Sequence, residues 1–133
     1  MINYTHIYLV DEFDMSNLLH SALFKKLEVG EDIYVFTNPE NALADMRLKL
    51  GGSERILILL DINMPEMSGF EFLDVMVKEN FPHNIDVIVA TSSISEKDKI
   101  KAEEYPQFVK DFIVKPLKIE RLRAVLKPLY KAV

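Results

Sequence analysis

The chain has 133 residues, 49% of them hydrophobic, and carries 16 Lys or Arg against 21 Asp or Glu for a formal net charge of −5. That length and apolar content predict one folded domain, and the acidic balance argues against binding nucleic acid through its phosphates. Without cysteine there are no disulfides, thiol nucleophiles or thiolate-bound zinc; no apolar run nears the ~18 residues of a membrane span, and no signal leader opens the chain, so a soluble cytoplasmic protein without membrane contact is expected.

Apolar character begins at Ile7-Tyr8-Leu9-Val10, a short buried strand ending in Asp11-Glu12. Met15, Leu18, Leu19, Ala22, Leu23 and Leu27 then recur at helical intervals as the apolar stripe of a first helix. Asp14 is placed to cap that helix and Gly30 to interrupt it. Ile33–Phe36 is rich in β-branched and aromatic residues and reads as a second strand. Asn38-Pro39 marks the next helix start, with Asn38 as cap and Pro39 at the first helical position, where its missing N–H costs nothing. Ala42, Leu43, Met46 and Leu50 form its buried stripe, and Gly51-Gly52 ends it.

Ile56-Leu57-Ile58-Leu59-Leu60 is an unbroken aliphatic run, the signature of a strand buried on both faces, and Asp61 stands at its carboxyl end. The chain turns through Asn63-Met64-Pro65 to Gly69, after which Phe70, Phe72, Leu73, Met76 and Val77 mark a third helix. Asn80–Asn84 breaks it, and Val87–Ala90 forms a fourth strand leading into Thr91-Ser92-Ser93. Ser95 and Asp98 resemble a capping box opening a polar helix that stops before Pro106. Phe108-Val109 and Phe112–Val114 bracket a fifth strand halting at Lys115-Pro116. A last helix carries Ile119, Leu122, Val125, Leu126 and Leu129, with Lys118 where a capping Asp or Ser would be expected.

Five strand–helix units in succession predict a single α/β domain over residues 1–133: a flavodoxin-like, doubly wound parallel sheet of order 2-1-3-4-5. The carboxyl ends of parallel strands share one edge, which collects Asp11, Glu12, Asp61, Thr91 and Lys115. Three carboxylates in one crevice repel each other unless a cation joins them, and an all-oxygen set suits Mg²⁺. Thr91 offers a hydroxyl donor and Lys115 a mobile positive charge suited to phosphate oxygens. Asp61 is thus equipped to act as the nucleophile of a phosphoryl transfer. His6, His20 and His83 are isolated in sequence, and His20 falls off the first helix's stripe, on a face expected to be solvated. Met15, Met46 and Met76 read as core filler, while Met64 and Met67 are placed to pack under the loop after Asp61.

Four segments, VDEFD (Val10–Asp14), LLDINMPEMSG (Leu59–Gly69), VIVATSS (Val87–Ser93) and FIVKPL (Phe112–Leu117), each follow or end an apolar strand in this order. Together they make the chain resemble, over essentially its whole length, the receiver domain of two-component response regulators. The resemblance implies that Asp61 is the phosphoacceptor for a sensor histidine kinase or histidine phosphotransfer protein. It implies that Asp11, Glu12, Asp61 and the backbone carbonyl of Asn63 hold Mg²⁺, that Thr91 is the switch hydroxyl, Lys115 the phosphate-sensing lysine and Phe112 the switch aromatic. It also implies a usually cis Lys115–Pro116 bond and a downstream protein target on the face of helix four, strand five and helix five, and it admits a homodimer. Glu12 stands where a second Asp is commoner, and Phe112 where Tyr is frequent.

Met1 leads directly into the first strand and the chain ends with the last helix, so a stand-alone receiver is expected, with no independent substrate turnover. A haloacid-dehalogenase-like hydrolase would want an acid at position 63, and Asn63 cannot shuttle protons. The alternative is a receiver-like adaptor that binds partners whether or not it is phosphorylated.

Overall fold

The computed structural model describes residues 4–130, so the sequence's Met1 start and residues 131–133 lie outside it. The elements run β1 (Tyr4–Val10), α1 (Asp14–Leu27), β2 (Gly30–Phe36), α2 (Pro39–Arg47), β3 (Ile56–Leu60), α3 (Gly69–Lys78), β4 (Ile85–Thr91), α4 (Glu96–Ala102), β5 (Val109–Val114) and α5 (Ile119–Tyr130). The sheet has the order β2-β1-β3-β4-β5 with every pairing parallel, as expected from the sequence. Among the described residues no helix is long and apolar enough to cross a membrane.

Side chains alternate across a strand, so β3 divides its aliphatic run between two cores. Ile56, Ile58 and Leu60 pack with Leu43 and Met46 of α2, Phe72, Leu73 and Met76 of α3 and Ala102 of α4. Leu57 and Leu59 pack on the other face with Phe24 of α1 and Leu122, Val125 and Leu126 of α5. All five β3 residues are buried, and each large side chain so enclosed contributes about 1.5–3 kcal/mol. β3 is therefore the fixed axis on which Asp61 is mounted.

Local chemistry sets the helix ends. Asn38 accepts the Glu40 N–H, with Pro39 at the start of α2. Ser68 opens α3 with a reciprocal capping box: its Oγ accepts the Glu71 N–H (3.1 Å) while Glu71 accepts the Ser68 N–H (3.0 Å). The Ser-x-x-Glu spacing of this box stands in the sequence, but the apolar pattern from Phe70 onward does not single it out. Ser68→Ala is expected to cost about 1 kcal/mol, read as a lower urea midpoint with an unchanged slope. At α4 the Ser95 hydroxyl accepts the Asp98 N–H, but the Asp98 carboxylate accepts instead from the Ser93 hydroxyl (2.7 Å). Gly69 lies where a Cβ would come within 2.7 Å of the Asp61 carbonyl oxygen and the Ile62 Cα. Glycine thus lets α3 begin directly against the end of β3.

The first helix differs from the sequence expectation in three respects. Met15, Leu18 and Leu19 are 66%, 65% and 60% exposed, and Ala22 is exposed too; the buried residues of α1 are Asn17, His20 and Phe24. Leu23 and Leu27 of the expected stripe do pack against the core, so the spacing locates a helix but places only part of its apolar residues; Met15 is not core filler, whereas Met46 and Met76 are fully buried. Asp14 is the first helical residue and not the cap; the cap position is Phe13, without a side-chain bond. The helix stops at Glu28, in a left-handed conformation (φ 53°) with its N–H on the Phe24 carbonyl. Gly30 belongs to β2, where a Cβ would run into the Ile7 side chain.

Candidate functional site

The parallel register places Val10 beside Leu60, so the next residues, Asp11 and Asp61, leave adjacent strands together. Two backbone bonds hold these ends: the Asp61 N–H donates to the Val10 carbonyl (3.0 Å) and the Asp11 N–H to the Phe36 carbonyl (3.1 Å). Both carboxylates are nearly enclosed, at 3% exposure for Asp11 and 5% for Asp61. Asp11 Oδ1 accepts the Phe13 N–H (2.9 Å), and Asp61 Oδ1 accepts the Asn63 N–H (3.1 Å). Lys115 reaches across from β5, pairing its ammonium with Asp11 Oδ2 and standing 3.5 Å from Asp61 Oδ2. The Lys115–Pro116 bond is cis, and the Lys115 N–H donates to the Thr91 carbonyl (2.8 Å).

Burial raises the Asp61 pKa above the usual carboxylate value, with Asp11 adding to it; the Asn63 N–H and Lys115 work against the rise. Thr91 is fully buried, and its Oγ1 accepts both the Asn63 side-chain amide (3.1 Å) and the Ser93 N–H (3.2 Å). The hydroxyl hydrogen is left for another acceptor. Phe112 is half-buried and packs against the core of the α2–α4 face.

The sheet's carboxyl edge thus gathers a buried carboxylate, a second acid and an ammonium, with the Thr91 hydroxyl linked to them through Asn63. The family model described as the response regulator receiver domain matches residues 7–127. This chain belongs to that family.

Receiver domains work in two-component signalling, with phosphoryl acceptance as their general function. This receiver is 28% identical over 123 residues to the probable methanogenesis regulatory protein FilR2 of Methanothrix harundinacea, covering 91% of this chain and 78% of that protein. It is 33% identical over 113 residues to the transcriptional regulatory protein FlgR of Helicobacter pylori, covering 84% of this chain but only 26% of FlgR. A two-component response regulator from Cytophaga hutchinsonii shares the fold with a TM-score of 0.84 at 24% identity, covering 97% of this chain and 98% of that one.

Of the residues singled out from sequence, the receiver fold brings Asp11 and Asp61 each into contact with Lys115, and Thr91 joins them through Asn63. Glu12 is half-buried and makes no hydrogen bond among the described residues. As placed, no three His, Asp or Glu side chains among the described residues stand close enough together to hold a metal ion. The donor chemistry nonetheless suits Mg²⁺, since the group offers only hard oxygens. The one positive charge among them is the Lys115 ammonium, bridging Asp11 and Asp61 as a cation would.

Three features of the site are not visible to sequence reasoning: the Asn63 side chain on Thr91, and the buried Asn17 and His20 of α1. His20, expected in solvent, is 5% exposed, and its Nδ1 is buried without a partner. Burial, reinforced by Lys115 and opposed by Asp11, pushes its pKa down to about 4.

Proposed function

We propose that this receiver takes a phosphoryl group from the phosphohistidine of a sensor histidine kinase or histidine phosphotransfer protein onto Asp61. The supporting observation is the buried Asp61 carboxylate with the Lys115 ammonium 3.5 Å from its Oδ2. An Asp61 oxygen attacks phosphorus in line as the bond from phosphorus to the donor's imidazole nitrogen breaks. The bonding pair returns to the imidazole, and an acyl phosphate remains on the protein. Lys115 can turn from Asp11 toward the new phosphoryl oxygens, and the Thr91 hydroxyl can donate to them once it moves off Asn63. Asp11, Glu12, Asp61 and the Asn63 carbonyl would hold Mg²⁺, which supplies neutralisation of phosphoryl charge. The rest of the cycle needs no independent substrate turnover.

Output follows from the same motions. Inward movement of Thr91 opens room for Phe112, which lines a groove of about 350 Å³ with Lys99, Ala102, Glu103 and Val109 between α4 and β5. Ile94, Ile100 and Val114 are exposed beside it, an apolar surface for a downstream protein on the α4–β5–α5 face.

The donor is served by a different face. Phe13 at the cap, Met15, Leu18 and Leu19 of α1 and Val35 of β2 are exposed apolar residues that begin two positions after Asp11. A histidine-bearing helix with an apolar flank fits this patch. Leu18→Glu is expected to lower kcat/KM for transfer from a phosphorylated protein donor about tenfold, a loss of about 1.4 kcal/mol. The rate from a small phosphodonor should stay at the wild-type value; equal loss with both donors would rule the patch out as the docking surface.

The whole reading is tested by incubation with phosphoramidate and Mg²⁺, followed by intact mass. The wild type should gain one phosphoryl group, as should the exposed-site control Asp32→Asn, while Asp61→Asn should gain none. A folded wild type that takes no label leaves the phosphorylation-independent adaptor in its place.

A further inference from the structure

Asn17 is a polar residue on the inner face of α1, 1% exposed, in a position that a leucine could fill. Both hydrogens of its amide are used. Nδ2 donates to the Asp11 carbonyl (3.0 Å) and to the Phe36 carbonyl (3.3 Å). The Phe36 carbonyl also receives the Asp11 N–H (3.1 Å), so one side chain closes a ring of bonds over the ends of β1 and β2. The orientation is fixed by chemistry, because the flipped amide would turn its oxygen onto two carbonyls. The remaining atom, Oδ1, is buried without a partner. An unsatisfied buried acceptor is destabilising, so packing alone does not account for asparagine here. What it gains is the grip on Asp11.

That grip has a defined target. Asp11 and Glu12 follow the last β1 residue, and the loop they open reaches α1 within three residues. The Asp11 side chain turns back onto the Phe13 N–H, while its main-chain carbonyl is held from the opposite side by Asn17. Freeing that carbonyl removes a restraint on the peptide between Asp11 and Glu12 and so loosens the loop that carries both carboxylates.

We propose that Asn17 is the positioning residue of the acidic pair. It sets where the Asp11 and Glu12 carboxylates stand, and through them the affinity of the site for a divalent cation, without touching either cation or phosphoryl group. The inference rests on the proposed Mg²⁺-assisted phosphoryl transfer at Asp61. Groups that orient metal ligands from behind typically change affinity by about 10- to 100-fold when removed.

The test uses the full chain with Asn17→Leu, which keeps the branching at Cγ and removes both donors and the stranded Oδ1. Calorimetric titration with Mg²⁺ should give a dissociation constant about tenfold weaker than the wild type. Hydrogen exchange of the Asp11 amide, followed in metal-free protein, should be faster by a similar factor while the unfolding midpoint moves little. Asn17→Gln, which retains two donors, should recover much of the affinity. If the leucine variant fails to fold, Asn17→Ala carries the same measurements. Unchanged Mg²⁺ affinity together with unchanged Asp11 exchange overturns the role. A wild type that binds no Mg²⁺ counts against the metal reading of the site, and Asp11 exchange then decides alone whether Asn17 holds the loop.

Discussion

Asp61→Asn is expected to abolish phosphoryl labelling and, in the same substitution, to raise the unfolding midpoint. The amide has the carboxylate's shape and can still accept the Asn63 N–H through Oδ1, but it is no nucleophile toward phosphorus. The stability gain follows from charge. Burial raises the Asp61 pKa, and Asp11 adds to the rise. For an acid, a folded-state pKa above the unfolded value means that the ionised form opposes folding. The penalty is present at neutral pH and fades as pH falls through the folded pKa. Lys115 does not cancel it, because its ammonium is closer to Asp11 than to Asp61. The neutral amide removes the penalty and leaves the Lys115–Asp11 pair intact. Thermal unfolding at pH 7.5 should therefore give a higher midpoint for the variant, and the gap should narrow toward about pH 4. A lower midpoint at pH 7.5 would mean that Asp61 is held as a stabilising ion pair, and the electrostatic account of the site would fail. A carboxylate kept ionised against its environment keeps the electron pair a nucleophile needs, and such sites are where a protein gives up stability for function.

Much of the architecture is readable because its signals are local or strictly periodic. The run Ile56–Leu60 could only be a doubly buried strand, and Asn38-Pro39 states a helix start in the chemistry of its first N–H groups. Parallel register then follows from alternation of strand and helix, which carries Asp11 to the side of Asp61 without any knowledge of side-chain contacts. The face of α1 is not readable in this way. Its two sides carry competing patterns, with Met15, Leu18 and Leu19 on one and Asn17, His20 and Phe24 on the other. Hydrophobic periodicity assigns all the apolar residues to the core, and here Leu23 and Leu27 pack inward while Met15, Leu18 and Leu19 are exposed.

The inversion has one cause on each face. Outward, the exposed apolar residues are those proposed above as the donor's docking surface. Inward, polar residues stand where the sheet edge needs donors, as Asn17 does for the Asp11 and Phe36 carbonyls. A rule that equates polar with solvated fails in both directions at a functional edge. The Thr91–Asn63 contact is hidden for another reason: Asn63 has an expected role through its backbone carbonyl, and nothing in the spacing specifies where its side chain turns. Glu12 is the reverse case. Its charge is legible, but its carboxylate makes no hydrogen bond among the described residues.

His20 supplies the second large effect, and it is a pH effect. The imidazole is 5% exposed and has a folded-state pKa of about 4 against 6.5 for a free histidine. Burial is the main cause, the positive charge of Lys115 acts in the same direction, and the Asp11 carboxylate partly offsets both. Because the folded pKa is depressed, the unfolded chain binds a proton that the folded chain refuses between these two values. Stability is whole above pH 6.5 and falls as the solution becomes more acidic, until the folded pKa is reached. Each pH unit in that window is worth about 1.4 kcal/mol, so roughly 2 kcal/mol should be lost by about pH 5. Asp61 works in the opposite sense, gaining stability as it protonates. The clean comparison is therefore made in the Asp61→Asn background. There, urea unfolding between pH 7 and pH 5 should show the full decline with His20 present, and His20→Leu should flatten it. A slope that survives the leucine substitution would place the titrating group elsewhere. A flattened slope would show that the imidazole stays neutral beneath Lys115 and Asp11, so the positive charge at this end of the crevice belongs to Lys115.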